Sequence, residues 1–364
     1  MPPTTTNVGI DSSNDNLELD AARRGDRGAF DTLIAPLRDQ LLAHCYRMLG
    51  SIHDADDALQ DTMLRAWRGL AGFDGRSEFS TWLYRIATNA SLDAIRRNGR
   101  RILPVDVAAE EVVDAETVRW IGPFAHASGP ESPEGAAVRR ESVELAFVTA
   151  LQILPANQRA VLLLRDVLAF SAVDTAAILG ASAAAVTSSL QRARRTVEQH
   201  LPDTTQRALL ERLGAKATDR IAAQYVEAWE RSDTPALVSL LCADATFSMP
   251  PHPAWFAGPA AIATFLDAEP MRYPWHLIRS DVGGHLAFAC YTVDRETGDW
   301  AAHSLDVLTL GDEGITAIVG FLDSSLVTRL GLPRSRRRFD PSRDGQRQLR
   351  SVPLSATLPV VSSR

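Results

Sequence analysis

The chain has 364 residues, 45% of them apolar and 23% charged, and a formal net charge of −7. Its length exceeds that of one typical domain, so we expect two or three domains with hydrophobic cores. The acidic balance excludes a protein that coats nucleic acid indiscriminately, and any nucleic-acid contact must come from local basic clusters.

The first half of the chain divides into four segments by pattern. Residues 1–16 are polar and are predicted to be disordered, whereas 17–101 has helical periodicity. Residues 102–137 are rich in Pro, Gly and acidic residues and predict a linker. Helical periodicity returns over 138–203. The sequence therefore predicts two helical domains in succession.

Within the first helical segment, the stretch DADDALQDTMLRAW predicts an amphipathic helix with an acidic outer face. Its buried face is predicted to contain Ala55, Leu59, Met63 and Ala66. The outer face presents three carboxylates around a leucine: Asp54, Asp57, Asp61, Leu64 and Arg65. Such a face is typical of a solvated helix or of a docking surface for a basic protein partner. The pattern alone favours the solvated helix.

The next helix, FSTWLYRIATNASLDAIRRNGRR, ends in a cluster of arginines. Its apolar stripe consists of Phe79, Leu83, Ile86, Ala90 and Ala94. A second stripe and its extension contain Trp82, Arg85, Asn89, Arg96, Arg97, Arg100 and Arg101. Cations stabilise a helix C-terminus, but Arg, Asn and Trp also contact phosphates, base edges and unpaired bases. DNA contact and solvated surface both remain open.

The second helical segment contains a helix-turn-helix pattern, SAVDTAAILGASAAAVTSSLQRARRTVEQHL. Ser171 and Ser182 are predicted to cap its two helices, and Gly180 to form the turn. In the second helix, Val186, Leu190, Ala193 and Val197 share one face. The outward residues are small, polar or basic: Ala184, Thr187, Ser188, Gln191, Arg192, Arg194 and Arg195. This face favours recognition of a major groove over a plain helical hairpin.

These stretches resemble two regions of bacterial sigma-70 factors. LLAHCYRMLGSIHDADDALQDTMLRAW with FSTWLYRIATNASLDAIRRNGRR is similar to region 2, and LPANQRAVLLLRDVLAFSAVDTAAILGASAAAVTSSLQRARR is similar to region 4. Their order, with only a linker between them, resembles the extracytoplasmic-function (ECF) group. The resemblance implies an alternative sigma factor that binds core RNA polymerase and directs promoter-specific transcription initiation.

The resemblance also implies roles for single residues. Those expected to contact core RNA polymerase are Asp54, Asp57, Gln60, Asp61, Leu64 and Arg65. Those expected at the −10 element of promoter DNA are Trp82, Arg85, Asn89, Arg96, Arg97, Arg100 and Arg101. Those expected at the −35 element are Ser182, Ala184, Thr187, Ser188, Gln191, Arg192, Arg194 and Arg195. Ser189 departs from the arginine that many members have, which puts one phosphate contact in doubt.

The last third of the chain changes character. Over 218–332, one helix precedes strand-like runs such as HLAFACYTV and SLDVLTL, and 333–364 is an Arg-rich tail. The domain resembles the SnoaL-like branch of the nuclear-transport-factor-like fold, some members of which follow ECF sigma domains. The tail could touch DNA or an acidic partner, but its composition favours a flexible, solvated end.

The implied architecture is multidomain: two all-α sigma domains, the second with a helix-turn-helix, and a C-terminal α+β cone-shaped SnoaL-like domain. Candidate polar and aromatic residues for its pocket are His252, Trp255, His276, His303, Asp306 and Asp323. Strand alternation keeps His303 and Asp306 on opposite faces unless a bulge intervenes. No nucleophile–base pair or metal-ligand set stands out, so we expect no catalytic residue. A regulatory domain that binds a small molecule or a protein is favoured over an enzyme.

The three cysteines, Cys45, Cys242 and Cys290, form neither a disulfide framework nor a zinc pattern, as expected in a reducing cytoplasm. The N-terminus lacks a signal-peptide pattern, and no apolar run approaches the ~18 residues of a membrane span. With no nucleotide-binding motif either, we expect a cytoplasmic protein without cofactor, metal or membrane contact. Two rival hypotheses are a free-standing helix-turn-helix regulator and a SnoaL-like enzyme with accessory helical domains.

Overall fold

In a computed structural model of the chain, the structure describes residues 13–98, 120–125, 145–200 and 204–338. Residues 339–364 of the Arg-rich tail predicted over 333–364, most of the predicted linker, and Arg100 and Arg101 lie outside the described residues. So do residues 1–12, although the first helix begins at Ser13, inside the segment predicted to be disordered. Residues 333–338, predicted to belong to that flexible tail, instead include a short strand, Ser335–Arg336, which pairs with another strand of the third domain.

Five helices form the first domain: α1 (Ser13–Arg23), α2 (Arg27–Ile34), α3 (Arg38–Leu49), α4 (Ile52–Gly69) and α5 (Phe79–Asn98). Gly50 ends α3 in the left-handed region at φ 71°, where a side chain would be strained. Ser51 then caps α4 by accepting a hydrogen bond from the Asp54 amide. The two signals set the antiparallel turn that packs α3, α4 and α5 around one core.

Four helices form the second domain: α6 (Leu145–Ile153), α7 (Ala156–Leu162), α8 (Ala172–Leu179) and α9 (Ala183–Glu198). A π-helical turn, Leu163–Val167, extends α7. This domain packs directly on the first, with the Tyr84 and Phe170 rings edge-to-face at 5.4 Å. One contiguous apolar core therefore runs through both helical domains.

Part of the predicted linker is packed rather than loose. Residues 120–125 lie against the first domain, where Tyr46 donates a hydrogen bond to the Gly122 carbonyl at 2.7 Å. Ile121 and Ala125 are fully buried there. The indole of Trp120 also donates to the Pro251 carbonyl of the third domain at 3.0 Å. The prediction of an unstructured linker over 102–137 is wrong for this segment, because its apolar residues find a place in the core.

A curved sheet backed by helices forms the third domain. Its strands are β1 (Leu241–Met249), β2 (His252–Ala257), β3 (Trp275–Val282), β4 (His285–Val293), β5 (Trp300–Leu310), β6 (Ile315–Phe321) and β7 (Ser335–Arg336). Their order is β2-β1-β6-β5-β4-β3, with β1 and β6 parallel, the other neighbours antiparallel and β7 paired to β5.

The helices of the third domain are α10 (Gln206–Glu230, broken at Gly214), α11 (Thr234–Val238), α12 (Gly258–Ala268) and α13 (Ser324–Arg329). The aromatic residues of α10 and the inner faces of the central strands form a separate apolar core. The α+β architecture predicted from the strand-like runs is confirmed. The helix that opens this domain begins at Gln206, well before the predicted boundary at 218.

Candidate functional site

The acidic helix α4 has the two faces that its periodicity predicts. Ala55, Leu59 and Ala66 are buried, and Met63 is partly buried against the same core. On the outer face Asp57 and Gln60 are exposed, and Leu64 is 56% exposed. An exposed leucine surrounded by acids lets a partner gain apolar contact and charge pairing at the same place.

A shallow groove separates α4 from α5, and acids of one helix face arginines of the other across it. Its lining includes Asp54, Asp57, Asp61, Arg65, Asp93, Arg96 and Arg97. Asp93 organises the groove, because Arg65 lies 2.9 Å and Arg96 2.8 Å from its two carboxylate oxygens. The hydrogen bond with Asp93, followed by that with Asp61, raises the pKa of Arg65. The sequence analysis missed Asp93, whose signal is its position one helical turn before Arg96.

On α5, Arg85, Asn89, Arg96 and Arg97 are exposed, as the second stripe predicts. Trp82, which the sequence places on the same stripe, also packs against the core. Its ring packs at 5.1 Å from Phe73 and 5.7 Å from Phe79, and it is half-buried. The tryptophan therefore stabilises the domain while one edge remains accessible beside the basic stripe.

The predicted helix-turn-helix is present in the structure. Ser171 and Ser182 cap α8 and α9, and Gly180 ends α8 in the left-handed region at φ 63°. The two helices cross at 98°, within the range of this motif. Val186, Leu190, Ala193 and Val197 are the buried residues of α9.

The outward face of α9 is exposed over its predicted residues: Ser182, Ala184, Thr187, Ser188, Gln191, Arg192, Arg194 and Arg195. Arg194 already has a partner, since its guanidinium donates two hydrogen bonds of 2.8 and 2.7 Å to Asp166. Thr187 and Ser188 donate to backbone carbonyls one turn earlier. Arg192 donates to the Ser189 hydroxyl at 3.2 Å. Contact with DNA would require Arg194 to turn away from Asp166.

The third domain contains a cavity of about 630 Å³, within the usual range for small-molecule sites. His252, His303 and Asp306 line it, whereas Trp255 and His276 are not among its lining residues. His276 instead lies 2.8 Å from Glu230 on α10. His303 and Asp306 share the cavity because β5 bulges at His303: Cys290 pairs with Ser304, but Tyr291 pairs with Ala302.

Asp306 is the unusual group of this cavity. It is 5% exposed, and its carboxylate accepts a hydrogen bond of 2.8 Å from the Tyr225 hydroxyl. Burial raises the pKa of Asp306 to about 6, and hydrogen bonds from Tyr225, Cys290 and Ser304 limit the rise. Burial also lowers the pKa of His303. At neutral pH, therefore, the cavity holds a buried carboxylate beside an uncharged imidazole.

This carboxylate makes the stability of the domain depend on pH. Because the folded-state pKa is raised from 3.8 to about 6, the folded chain binds the proton more tightly, and stability falls as pH rises through that window. The rise corresponds to ~3 kcal/mol above pH 6. We expect Asp306→Asn to raise the melting temperature of the third domain at pH 7.5 but not at pH 4, measured by calorimetry. The exposed Asp281→Asn is the control, and equal gains at both pH values would contradict the assignment.

Comparison with known proteins gives the following matches. Family models match at residues 33–101 (Sigma-70 region 2), 144–197 (Sigma-70, region 4) and 222–318 (SnoaL-like domain). The chain is 39% identical over 339 residues to the ECF RNA polymerase sigma factor SigG of Mycobacterium tuberculosis, covering 90% of each chain. It is 33% identical over 192 residues to the RNA polymerase sigma-H factor of Pseudomonas aeruginosa, covering 53% of this chain and 96% of the relative.

Among solved structures, the Mycobacterium tuberculosis extracytoplasmic function sigma factor SigJ superposes with a TM-score of 0.54. It is 20% identical, and the match covers 85% of this chain and all of SigJ, so it bears on the fold alone. Within the described ranges, no single helix is long and apolar enough to cross a membrane; α8 and α9 pass that test only when the bent pair is taken together.

Proposed function

The chain belongs to the ECF group of the sigma-70 family, and we propose which of its surfaces make the contacts of such a factor. It is an alternative sigma factor that directs promoter-specific transcription, with RNA polymerase and promoter DNA as partners, and it carries a SnoaL-like domain. The assignment of these contacts to single residues rests on exposure and charge.

Core RNA polymerase is proposed to bind the outer face of α4. The exposed Leu64 among carboxylates carries this proposal, because it offers a partner apolar contact and charge pairing at the same place. The contacting residues would be Asp54, Asp57, Gln60, Asp61, Leu64 and Arg65. Arg65 would act partly by holding Asp61, whose Oδ2 lies 2.7 Å from its guanidinium.

Promoter DNA is proposed to bind two basic faces. At the −10 element, Arg85, Arg96 and Arg97 would contact phosphates while Asn89 and the accessible edge of Trp82 meet bases. At the −35 element, the small N-terminal residues of α9 would enter the major groove, and Gln191 and Arg195 would contact the DNA behind them. Arg100 and Arg101, outside the described residues, would extend the first face.

The test is runoff transcription with purified core RNA polymerase over genomic promoter fragments. Defined transcripts that require this protein are expected. Arg97→Ala should weaken them most at low salt, and the difference from the unchanged chain should shrink at higher salt, because binding with one phosphate contact fewer releases fewer counterions and depends less on salt. Binding to promoter fragments without polymerase, together with no binding to polymerase, would favour a free-standing helix-turn-helix regulator instead.

The third domain is proposed to regulate the first through a pair of contacts, the α4 clasp: His53 with Asp323, and Asp56 with Arg329. His53 Nε2 lies 2.7 Å from Asp323 Oδ2, and the Arg329 guanidinium donates a hydrogen bond to Asp56. Burial opposes ionisation of Asp323, but hydrogen bonds from Ser325 and His53 outweigh it and lower the Asp323 pKa. The clasp uses α4 itself, so the third domain lies beside the proposed polymerase face.

Breaking the clasp is expected to raise transcription. Arg329→Ala leaves the half-buried Asp56 without its ion partner, and a loss of about 1 kcal/mol would increase release of the third domain roughly five-fold. Runoff transcript yield at limiting polymerase measures the effect. Arg231→Ala removes an exposed pair with Glu227 inside the third domain and should change nothing. A lower yield for Arg329→Ala would mean that the clasp assists the sigma domains.

The cavity is proposed to bind a ligand rather than to catalyse a reaction. An acid–base enzyme needs two groups that converge in the cavity, and His303 and Asp306 do line it together. In the described part of the chain, neither group is hydrogen-bonded to the other, and Asp306 is held by Tyr225. Turnover of any cavity ligand by the full chain would contradict this proposal and favour the enzyme hypothesis.

A further inference from the structure

The cavity of the third domain contains a buried negative charge that lacks a counter-charge. Buried carboxylates in proteins are normally paired with a cation or a metal. The hydrogen-bond partners of Asp306 are Tyr225, Cys290 and Ser304, all of them neutral donors. Across the described ranges, no arginine, lysine or histidine forms an ion pair with it. The chain thus tolerates an ionised group with which, among the described residues, no positively charged side chain forms an ion pair.

Around this carboxylate the walls are aromatic. Trp229, Trp275 and Tyr273 line the cavity, and the two indoles meet edge-to-face at 5.4 Å. His303, uncharged at neutral pH, packs at 5.3 Å against Trp275. Aromatic faces attract cations through their quadrupoles, most strongly where water is excluded. Trp229 is 4% exposed, and its ring also meets the Tyr225 ring edge-to-face at 6.3 Å.

We propose that this cavity binds a small organic cation, an alkylammonium or quaternary ammonium compound, whose positive charge lies beside the Asp306 carboxylate and against the aromatic wall that Trp229 and Trp275 form. The ligand supplies the missing counter-charge. This inference rests on the proposed role of the third domain as a ligand sensor and names the class of ligand.

Two other charged groups, Glu269 and Arg295, also line the cavity, and within the described ranges Arg295 forms no ion pair with Asp306. The groups that face Asp306 are Tyr225 from α10, Cys290 from β4 and His303 from its own strand. Burial, and then the nearby Asp306 charge, raise the pKa of both Tyr225 and Cys290, which therefore stay neutral at pH 7. Among Asp306, Tyr225, Cys290 and His303, Asp306 alone is ionised at neutral pH and becomes neutral in mild acid.

The test uses the full chain and matched probe pairs that differ in charge alone. Choline is paired with its uncharged isostere 3,3-dimethylbutan-1-ol, and benzyltrimethylammonium with neopentylbenzene; titrations are followed by ligand-observed NMR. We expect each cation to bind at least ten-fold more tightly than its neutral partner at pH 7.5. Below pH 5 this preference should disappear, because the carboxyl is then protonated. If no cation in the panel is preferred over its isostere, the proposal is overturned.

Two variants locate the charge. Asp306→Asn should remove the cation preference at pH 7.5, whereas Glu269→Gln, at another acid of the same cavity, should retain most of it. The reverse result would place the cation beside Glu269 and overturn the assignment to Asp306. The titrations need neither polymerase nor promoter. A chain that transcribes normally but shows no cation preference would therefore refute the ligand class and leave the sigma function intact.

Discussion

Reversing the charge at Asp57 is expected to abolish transcription at limiting concentrations of this protein while its fold stays unchanged. Asp57 is exposed on α4, between Asp54 and Asp61 and two turns from the exposed Leu64. An arginine there would meet a partner surface that is complementary to carboxylates. Like-charge contact at an interface costs several kcal/mol, and ~3 kcal/mol corresponds to a factor of ~150 in affinity.

The measurement is the affinity for core RNA polymerase, followed by runoff transcription at saturating protein. Asp57→Arg should lower the affinity by two orders of magnitude and restore some transcription at high concentration. Asp31→Arg makes the same change at an exposed site on α2 and should behave like the unchanged chain. Equal polymerase affinity for the two variants would show that the outer face of α4 is not the docking surface.

Leu64→Ala separates the apolar part of this surface from its charge. Since the side chain is 56% exposed, its removal should leave the free energy of unfolding within ~0.5 kcal/mol. Its loss from an interface core should nevertheless weaken polymerase binding about ten-fold. A variant that is equally stable but binds less tightly is the signature of a docking residue.

The sequence predicted the helix-turn-helix well because all of its determinants are local. Ser171, Gly180 and Ser182 act within one or two turns of their own position, and the periodicity of α9 alone places Val186 and Leu190 inside. The same holds for the two faces of α4. In such elements the hydrophobic pattern and the capping residues agree, so little is left for tertiary contacts to decide.

The cavity was predicted less well because its lining depends on long-range register. His303 and Asp306 share a face only because β5 gains one residue relative to β4, and no single strand reveals that bulge. His276, predicted as a pocket residue, lies beside Glu230 because α10 packs against β3. Likewise, the burial of Ile121 within a Pro-rich stretch depends on a groove formed by other helices.

A second large effect is expected at Arg159, which links the two helical domains. Its side chain is 4% exposed and donates to the Met48 carbonyl of α3, as well as to Gln152 and to the Leu154 carbonyl at 3.2 Å. Gln152 in turn donates to the Arg47 carbonyl at 3.3 Å. Gly50 leaves room for the Gln152 side chain, because a Cβ on residue 50 would lie 3.1 Å from it. Buried polar groups that are hydrogen-bonded between two domains in this way hold the domains in one arrangement.

We infer that this packed arrangement does not let the proposed faces of α5 and α9 contact both promoter elements at once. The −10 and −35 elements are about 25 base pairs apart, which is ~85 Å at ~3.4 Å per base pair. In the structure, α5 of the first domain instead packs against the segment before α8, with Tyr84 on Phe170. We therefore interpret the packed form as a resting state that must open when the protein binds polymerase. Because only the open form binds, the packed form lowers the apparent affinity for polymerase.

Arg159→Ala is expected to shift the chain towards the open form. Removal of the guanidinium leaves the Met48 and Leu154 carbonyls buried without their donor, which costs about 1–3 kcal/mol for each such group. Small-angle X-ray scattering should show a larger radius of gyration, and polymerase should bind more tightly. Gln152→Leu removes the bond to the Arg47 carbonyl and one acceptor of Arg159 but keeps the Arg159 bonds to the Met48 and Leu154 carbonyls, and it should have a smaller effect in the same direction. Circular dichroism is the control: a loss of helix content would mean that Arg159 stabilises the second domain itself rather than its contact with the first, and the resting-state interpretation would then be wrong.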